Sequence, residues 1–158
     1  MKFIMEQIAL HPASPVEAAE LLHAMGLKDW SQDAVVANGS VRGEVGQINK
    51  ALLAFNYTSR AGAVAPLELE VLHYTEGAHW TKGYGSCISH IGMHCKEEEL
   101  DEWKKFFAER KIPIAQEVFT QSHTNPAIAG KRLYHYCIFA TRSIIGVDVK
   151  FIVRRNLP

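Results

Sequence analysis

Two short stretches of the chain, Gln7-Ile-Ala-Leu-His11 and His90-Ile-Gly-Met-His94, share one alternation of polar and apolar positions, and each runs into an amphipathic helix. They start at positions 7 and 90, 83 residues apart (90 minus 7). A second pair, Glu70-Val-Leu-His-Tyr74 and Lys150-Phe-Ile-Val-Arg154, follows in the same order, 80 apart (150 minus 70). Two matches in order at nearly one spacing constrain a chain of 158 residues to two similar halves.

Local signals give each half the same order. Phe3 to His11 alternates as a strand, and Ser14-Pro15 with Glu17 is a capping box with proline at the first helical position. Val16, Ala19, Leu22 and Met25, with Ala18 and Leu21 beside them, form the expected buried stripe of a helix that Gly26 stops. Strands follow over 33–42, where Asn38-Gly39 signals a turn, over 50–58, and over 67–74 after a small-residue loop. A Gly- and aromatic-rich connector leads to a strand at 87–95 and a helix at 96–111 with a Leu100, Trp103, Phe106 and Phe107 stripe. Strands over 114–121, 133–141 and 147–154 complete the second half. The expected fold class is α+β, tandem βαβββ modules over 1–76 and 87–158 joined by 77–86, with curled mixed sheets around a cleft and the helices outside.

Seventeen basic and seventeen acidic side chains cancel, so the global field gives no reason to expect nucleic acid or an anionic membrane as partner. No apolar run approaches the ~20 residues of a spanning helix, and Glu6 interrupts the only candidate leader core, so the cytoplasm is the expected compartment. Three cysteines without a CxxC pair argue against both a disulfide framework and a thiolate zinc site, and are read as reduced thiols in or beside strands.

A tandem βαβββ pattern of this length resembles the vicinal oxygen chelate superfamily of glyoxalase I, bleomycin resistance proteins and extradiol dioxygenases. The resemblance covers nearly the whole chain. It implies a cleft lined by one strand parity, with metal ligands on the first and last strands of each module and a homodimer as the usual assembly. Here the helix-facing parity holds Ile8, Leu10, Leu67, Leu69, Val71, Ile91, Met93, Val147, Val149, Phe151 and Val153. The cleft parity holds Gln7, His11, Glu68, Glu70, His90, His94, Asp148, Lys150 and Arg154.

The family's four ligand positions map onto Gln7, Glu70, His90 and Lys150. Amide, carboxylate and imidazole suit zinc, nickel, manganese or iron, with Glu70 the proton-moving group if the protein is catalytic. A lysine ammonium has no lone pair to donate, and its charge opposes a divalent cation. The strand Lys150-Phe-Ile-Val-Arg154 resembles the Glu-Ile-Ile-Gln-Arg strand of hydroxyphenylpyruvate dioxygenases, with lysine standing where their iron ligand stands. Asp148 or Glu68 supplies the missing carboxylate if the register slips by two. Otherwise Glu70 and Lys150 neutralise each other and no metal binds.

Phe55, Tyr57, Tyr134 and Tyr136 flank the cleft and suit a flat or apolar ligand, while His11 and His94 sit at strand ends as polar caps or proton-transfer groups. Three functions follow: a small-molecule-binding protein without a complete metal site, a divalent-metal-dependent lyase, isomerase or dioxygenase acting on adjacent oxygens, or a scaffold with a vestigial cleft.

Overall fold

A computed structural model describes residues 1–41, 44–56, 67–76, 87–122 and 124–158. The elements run β1 (Gln7–His11), α1 (Pro15–Ala24), β2 (Ser31–Val41), β3 (Glu44–Asn56), β4 (Glu68–Glu76), β5 (Cys87–Cys95), α2 (Glu97–Glu109), β6 (Ile114–Thr120), β7 (Arg132–Phe139), α3 (Arg142–Ile145) and β8 (Asp148–Asn156). This is the α+β order expected, with one added turn of helix where the sequence suggested a plain turn at 142–146. Gly146 closes that turn at φ 81°, a left-handed conformation that glycine adopts without steric cost.

The eight strands close into one barrel in the order β1-β4-β3-β2-β6-β7-β8-β5. Each half uses the same local order, first strand beside last, and two antiparallel seams, β1 with β5 and β2 with β6, shut the ring. Within each half the first and last strands are parallel, Gln7 opposite Glu68 and Gly92 opposite Lys150. A barrel of eight strands has an interior that side chains nearly fill, or that holds one small ligand. None of the helices among the described residues is long and apolar enough to cross a membrane.

Outside the barrel, α2 packs Leu100, Trp103 and Phe107 on Met93, Phe139, Val149, Phe151 and Val153. Trp103 stacks on Phe151 at 5.0 Å and Phe107 on Phe139 at 4.2 Å, which makes this layer an aromatic core. The expected parity is what puts Val149, Phe151 and Val153 under the helix and Lys150 and Ile152 on the cavity side.

The first helix departs from expectation. Ser14 caps it, its hydroxyl oxygen accepting from the Glu17 amide at 3.3 Å, but α1 buries no residue completely. Val16, Leu21 and Met25 are 67%, 62% and 69% exposed. Residues 16, 19, 22 and 25, each three apart, sweep through about 180° of a helix with 3.6 residues per turn, so they cannot all face one sheet. The half-buried positions are Pro15, Ala18 and Leu22, spaced three and four. The Asn38-Gly39 turn is also absent: β2 runs through both residues, and the pairing with β3 takes a register shift between Gly39 and Ser40.

Candidate functional site

Four strands, β4, β1, β5 and β8, meet at the first seam, and their registers lay two rows of side chains across the barrel wall. One row reads Glu70, Ala9, His90, Asp148 and the next Glu68, Gln7, Gly92, Lys150. Small residues alternate with long ones. Ala9, fully buried, leaves room for Glu70 and His90 to meet over it, and Gly92 leaves room for Gln7 beside Lys150.

The mapped positions therefore converge. His90 Nε2 lies 3.1 Å from Gln7 Oε1, 3.2 Å from Glu70 Oε2 and 3.2 Å from Lys150 Nζ. Lys150 Nζ is 3.5 Å from Glu70 Oε2 and 4.5 Å from the centre of the Tyr136 ring, a cation–π contact. Gln7 Nε2 donates to Glu68 Oε1, which fixes its amide so that Oε1 faces the imidazole. Gln7, Glu70, His90 and Lys150 are each at most 6% exposed.

Burial alone would raise the Glu70 carboxyl, but the Lys150 ammonium, with His90 hydrogen-bonded beside it, holds it at about 2. Burial and then the same ammonium lower His90 to about 4, against the pull of Glu70. At neutral pH the centre is thus a carboxylate, a neutral imidazole and an ammonium. A proton on Nε2 points at the Gln7 and Glu70 oxygens while Nδ1 accepts from Ser89 Oγ at 3.2 Å, whereas a proton on Nδ1 leaves Nε2 to accept from the Lys150 ammonium; in either tautomer Lys150 keeps Glu70 as its counter-ion. Burial, with Glu70 nearby, pushes the Tyr136 hydroxyl well above the usual phenol range.

As they stand, these residues do not fit a divalent cation. The Lys150 ammonium lies within 3.2–3.5 Å of the same imidazole nitrogen and carboxylate oxygen that a metal would need at ~2.0–2.2 Å. The register slip that would bring in Asp148 does not occur. Asp148 is 1% exposed and accepts from the Arg142 backbone amide at 3.1 Å and from Arg142 Nε at 3.3 Å. Arg142 in turn donates to the Ile88 and Ser89 carbonyls, tying α3 to β5. Glu68 is held by Gln7.

The other expected positions divide. Phe55, His94, Tyr134, Tyr136 and Arg154 line a cavity of about 290 Å³ that runs from the four-residue centre through the barrel. Tyr134 and Tyr136 stack at 5.6 Å. His94 turns toward Glu6, with Nδ1 3.4 Å from its carboxylate. His11 is not in the lining; it packs beside Tyr74, ring centres 5.8 Å apart, with Nδ1 buried and unbonded among the described residues. At this end of β1 the pairing with β5 shifts register between Ala9 and Leu10, the extra residue being Ser89 on β5, while the pairing with β4 runs on regularly through Leu10. Tyr57 lies outside the described residues.

Sequence reasoning missed Arg132, Gln116, Asp33 and the two spacers, Ala9 and Gly92. Arg132 was legible from the Tyr134 and Tyr136 parity, had β7 been started one residue earlier. A methyl group at Gly92 would meet Gln7 Oε1 at 3.0 Å and Gln7 Cβ at 3.2 Å. Gly92→Ala is therefore expected to cost about 1–3 kcal/mol in urea unfolding. It should also shift the His90 ring resonances, and an unchanged His90 spectrum would contradict the packing described.

The two described thiols are poor nucleophiles: burial first, then the Glu99 and Glu97 charges, push Cys95 up to about 12. Burial and Glu117 do the same for Cys137.

No protein-family model and no curated protein matches the sequence. Solved structures do match. A hypothetical protein from Bacillus halodurans C-125 is 14% identical, with 98% of this chain and 96% of that chain covered and a TM-score of 0.54. A variant methylmalonyl-CoA epimerase of Streptomyces coelicolor, in complex with 2-nitronate-propionyl-CoA, is 11% identical over 97% and 95%, TM-score 0.56. The Mycobacterium tuberculosis methylmalonyl-CoA epimerase is 10% identical over 94% and 86%, TM-score 0.50. At these identities the likeness is one of fold, and the chain has the fold of the vicinal oxygen chelate superfamily.

Proposed function

We propose that this protein binds a small molecule inside the barrel and does so without a metal, the Lys150 ammonium standing as the resident cation of the four-residue centre. The observation that carries the reading is the approach of Lys150 Nζ to both His90 Nε2 and Glu70 Oε2, at 3.2 and 3.5 Å. A positive charge fixed between an imidazole and a carboxylate serves the electrostatic part of a metal's role without its coordination chemistry. Glu70 is then the counter-ion of Lys150. A carboxyl held at about 2 and an imidazole held at about 4 are poorly matched to proton transfer near neutral pH.

Support for a ligand comes from the cavity, which is concave and combines aromatic and aliphatic surface from Phe55, Leu72, Tyr134, Tyr136 and Ile152 with many polar side chains, a lining that suits a polar or amphipathic small molecule. The Streptomyces coelicolor neighbour of this fold, in complex with 2-nitronate-propionyl-CoA, supports a ligand-binding reading.

Metal analysis of protein purified without a histidine tag tests the reading. Less than about 0.1 equivalent of zinc, nickel, manganese or iron is expected after incubation at micromolar concentrations. Stoichiometric metal that His90→Ala removes would overturn it.

A further inference from the structure

Resting on the small-molecule reading above, we propose that the ligand carries a carboxylate or phosphate, and that Arg132 and Arg154 hold this group at the mouth of the cavity. β7 and β8 pair with Tyr134 opposite Arg154 and Tyr136 opposite Ile152. Cross-strand partners share a face, so Arg132, two residues before Tyr134, is the diagonal neighbour of Arg154 on the cavity side. Both guanidinium groups line the cavity, and neither has a hydrogen-bond or ion-pair partner among the described residues.

The other charged groups of the lining are already engaged. Glu70 and Lys150 face each other, Glu68 accepts from Gln7, and His94 faces Glu6. Asp33 Oδ1 accepts from the Thr124 hydroxyl at 3.0 Å. Glu68 and Asp33 keep their charge, their hydrogen-bond partners being neutral, so the positive charge is local to the β7–β8 face, where Arg132 and Arg154 are neighbours. Their planar donor forks match a carboxylate or phosphate in two-point contact.

Behind them the stacked Tyr134 and Tyr136 and the Phe55 ring form an apolar throat. Arg154 stands four residues from Lys150 along β8, about 13 Å at the rise of a strand. The geometry describes an amphipathic molecule with an anionic head at the rim, a flat or apolar body between the aromatic rings, and its far end toward Lys150.

The test uses 3-phenylpropionate and phenyl phosphate as anionic probes and 3-phenylpropanol as the neutral one, titrated into the full chain with labelled tyrosine rings observed by NMR. Both anions are expected to bind at least tenfold more tightly than the alcohol, and less tightly as salt rises. Arg132→Gln combined with Arg154→Gln should remove that preference and leave the alcohol's affinity within twofold. Circular dichroism and Tm confirm that the double variant folds. If all three probes bind alike and the variant changes nothing, the anionic anchor is wrong while the cavity reading stands. If no probe moves any tyrosine resonance in the wild type at millimolar concentration, both fall.

Discussion

Lys150→Met is expected to lower the free energy of unfolding by about 3–5 kcal/mol, the cost of leaving a buried partner charge uncompensated. Glu70, 2% exposed, is ionised only because the ammonium offsets the penalty of its burial. Without Lys150 the carboxyl's pKa rises. His90, released from the charge that lowers it, rises as well toward its partner Glu70.

The pH dependence follows with a definite sign. Both groups have folded values below their unfolded ones, so the unfolded chain binds more protons as pH falls, and stability is lost on acidification. His90 contributes fully above about 6.5 and its share declines as pH drops toward about 4; Glu70 adds its share between about 4.5 and about 2. Urea unfolding of the wild type from pH 7.5 to 5 should thus show a fall that Lys150→Met flattens. Glu70→Leu together with Lys150→Met, which removes both charges, should recover most of the loss. A single-variant cost below about 1 kcal/mol, typical of an exposed pair, would mean that Lys150 lies in solvent and not over His90.

How far the centre was legible in the sequence depends on which force fixed each residue. Strand parity is rigid: a one-residue slip would turn every cavity side chain outward, so repeat and alternation put Gln7, Glu70, His90 and Lys150 on the cleft side, and the resemblance to the superfamily singled out these four among the nine residues of that parity. The aromatic stripe of α2 was equally readable, since Leu100, Trp103 and Phe107 bury on one sheet face. What alternation could not reveal were its interruptions. His11 lies outside the cavity lining, beyond the point where Ser89 breaks the pairing of β5 with β1, and nothing in the alternation of either strand announces that shift.

Helix rotation was a second blind spot. Apolar residues occupy so much of α1 that several faces look equally burial-competent, and the one chosen was wrong. Asp148 was a third. Its parity is that of Lys150, but Arg142, six residues earlier, claims it through a short helix that local signals mark only as a turn. Ala9 and Gly92 were invisible for the opposite reason: they act by lacking side chains, and only the register shows what passes over them.

Lys150→Glu is expected to create a divalent-metal site where the wild type has an ammonium. The change replaces the one cation of the centre with a carboxylate, giving His90 nitrogen, Glu70 and Glu-for-Lys oxygens and the Gln7 amide oxygen, a donor set that zinc, nickel or manganese accepts. Without metal, two buried carboxylates would face each other and the variant should be less stable than the wild type, with one of them protonated at neutral pH. Metal reverses this through linkage. At a free concentration a hundredfold above Kd, binding adds about 2.7 kcal/mol. For a chain of this size that corresponds to a rise in Tm of roughly 5–10 °C. Thermal unfolding with and without zinc or nickel reads the difference, and the wild type should not respond. Adding His90→Ala to the variant should abolish the rise, because the imidazole is the strongest donor of the set. A variant that folds yet shows no metal-dependent Tm up to millimolar concentration would mean that Lys150 does not occupy the cation position, and the functional reading built on it would fall with that result.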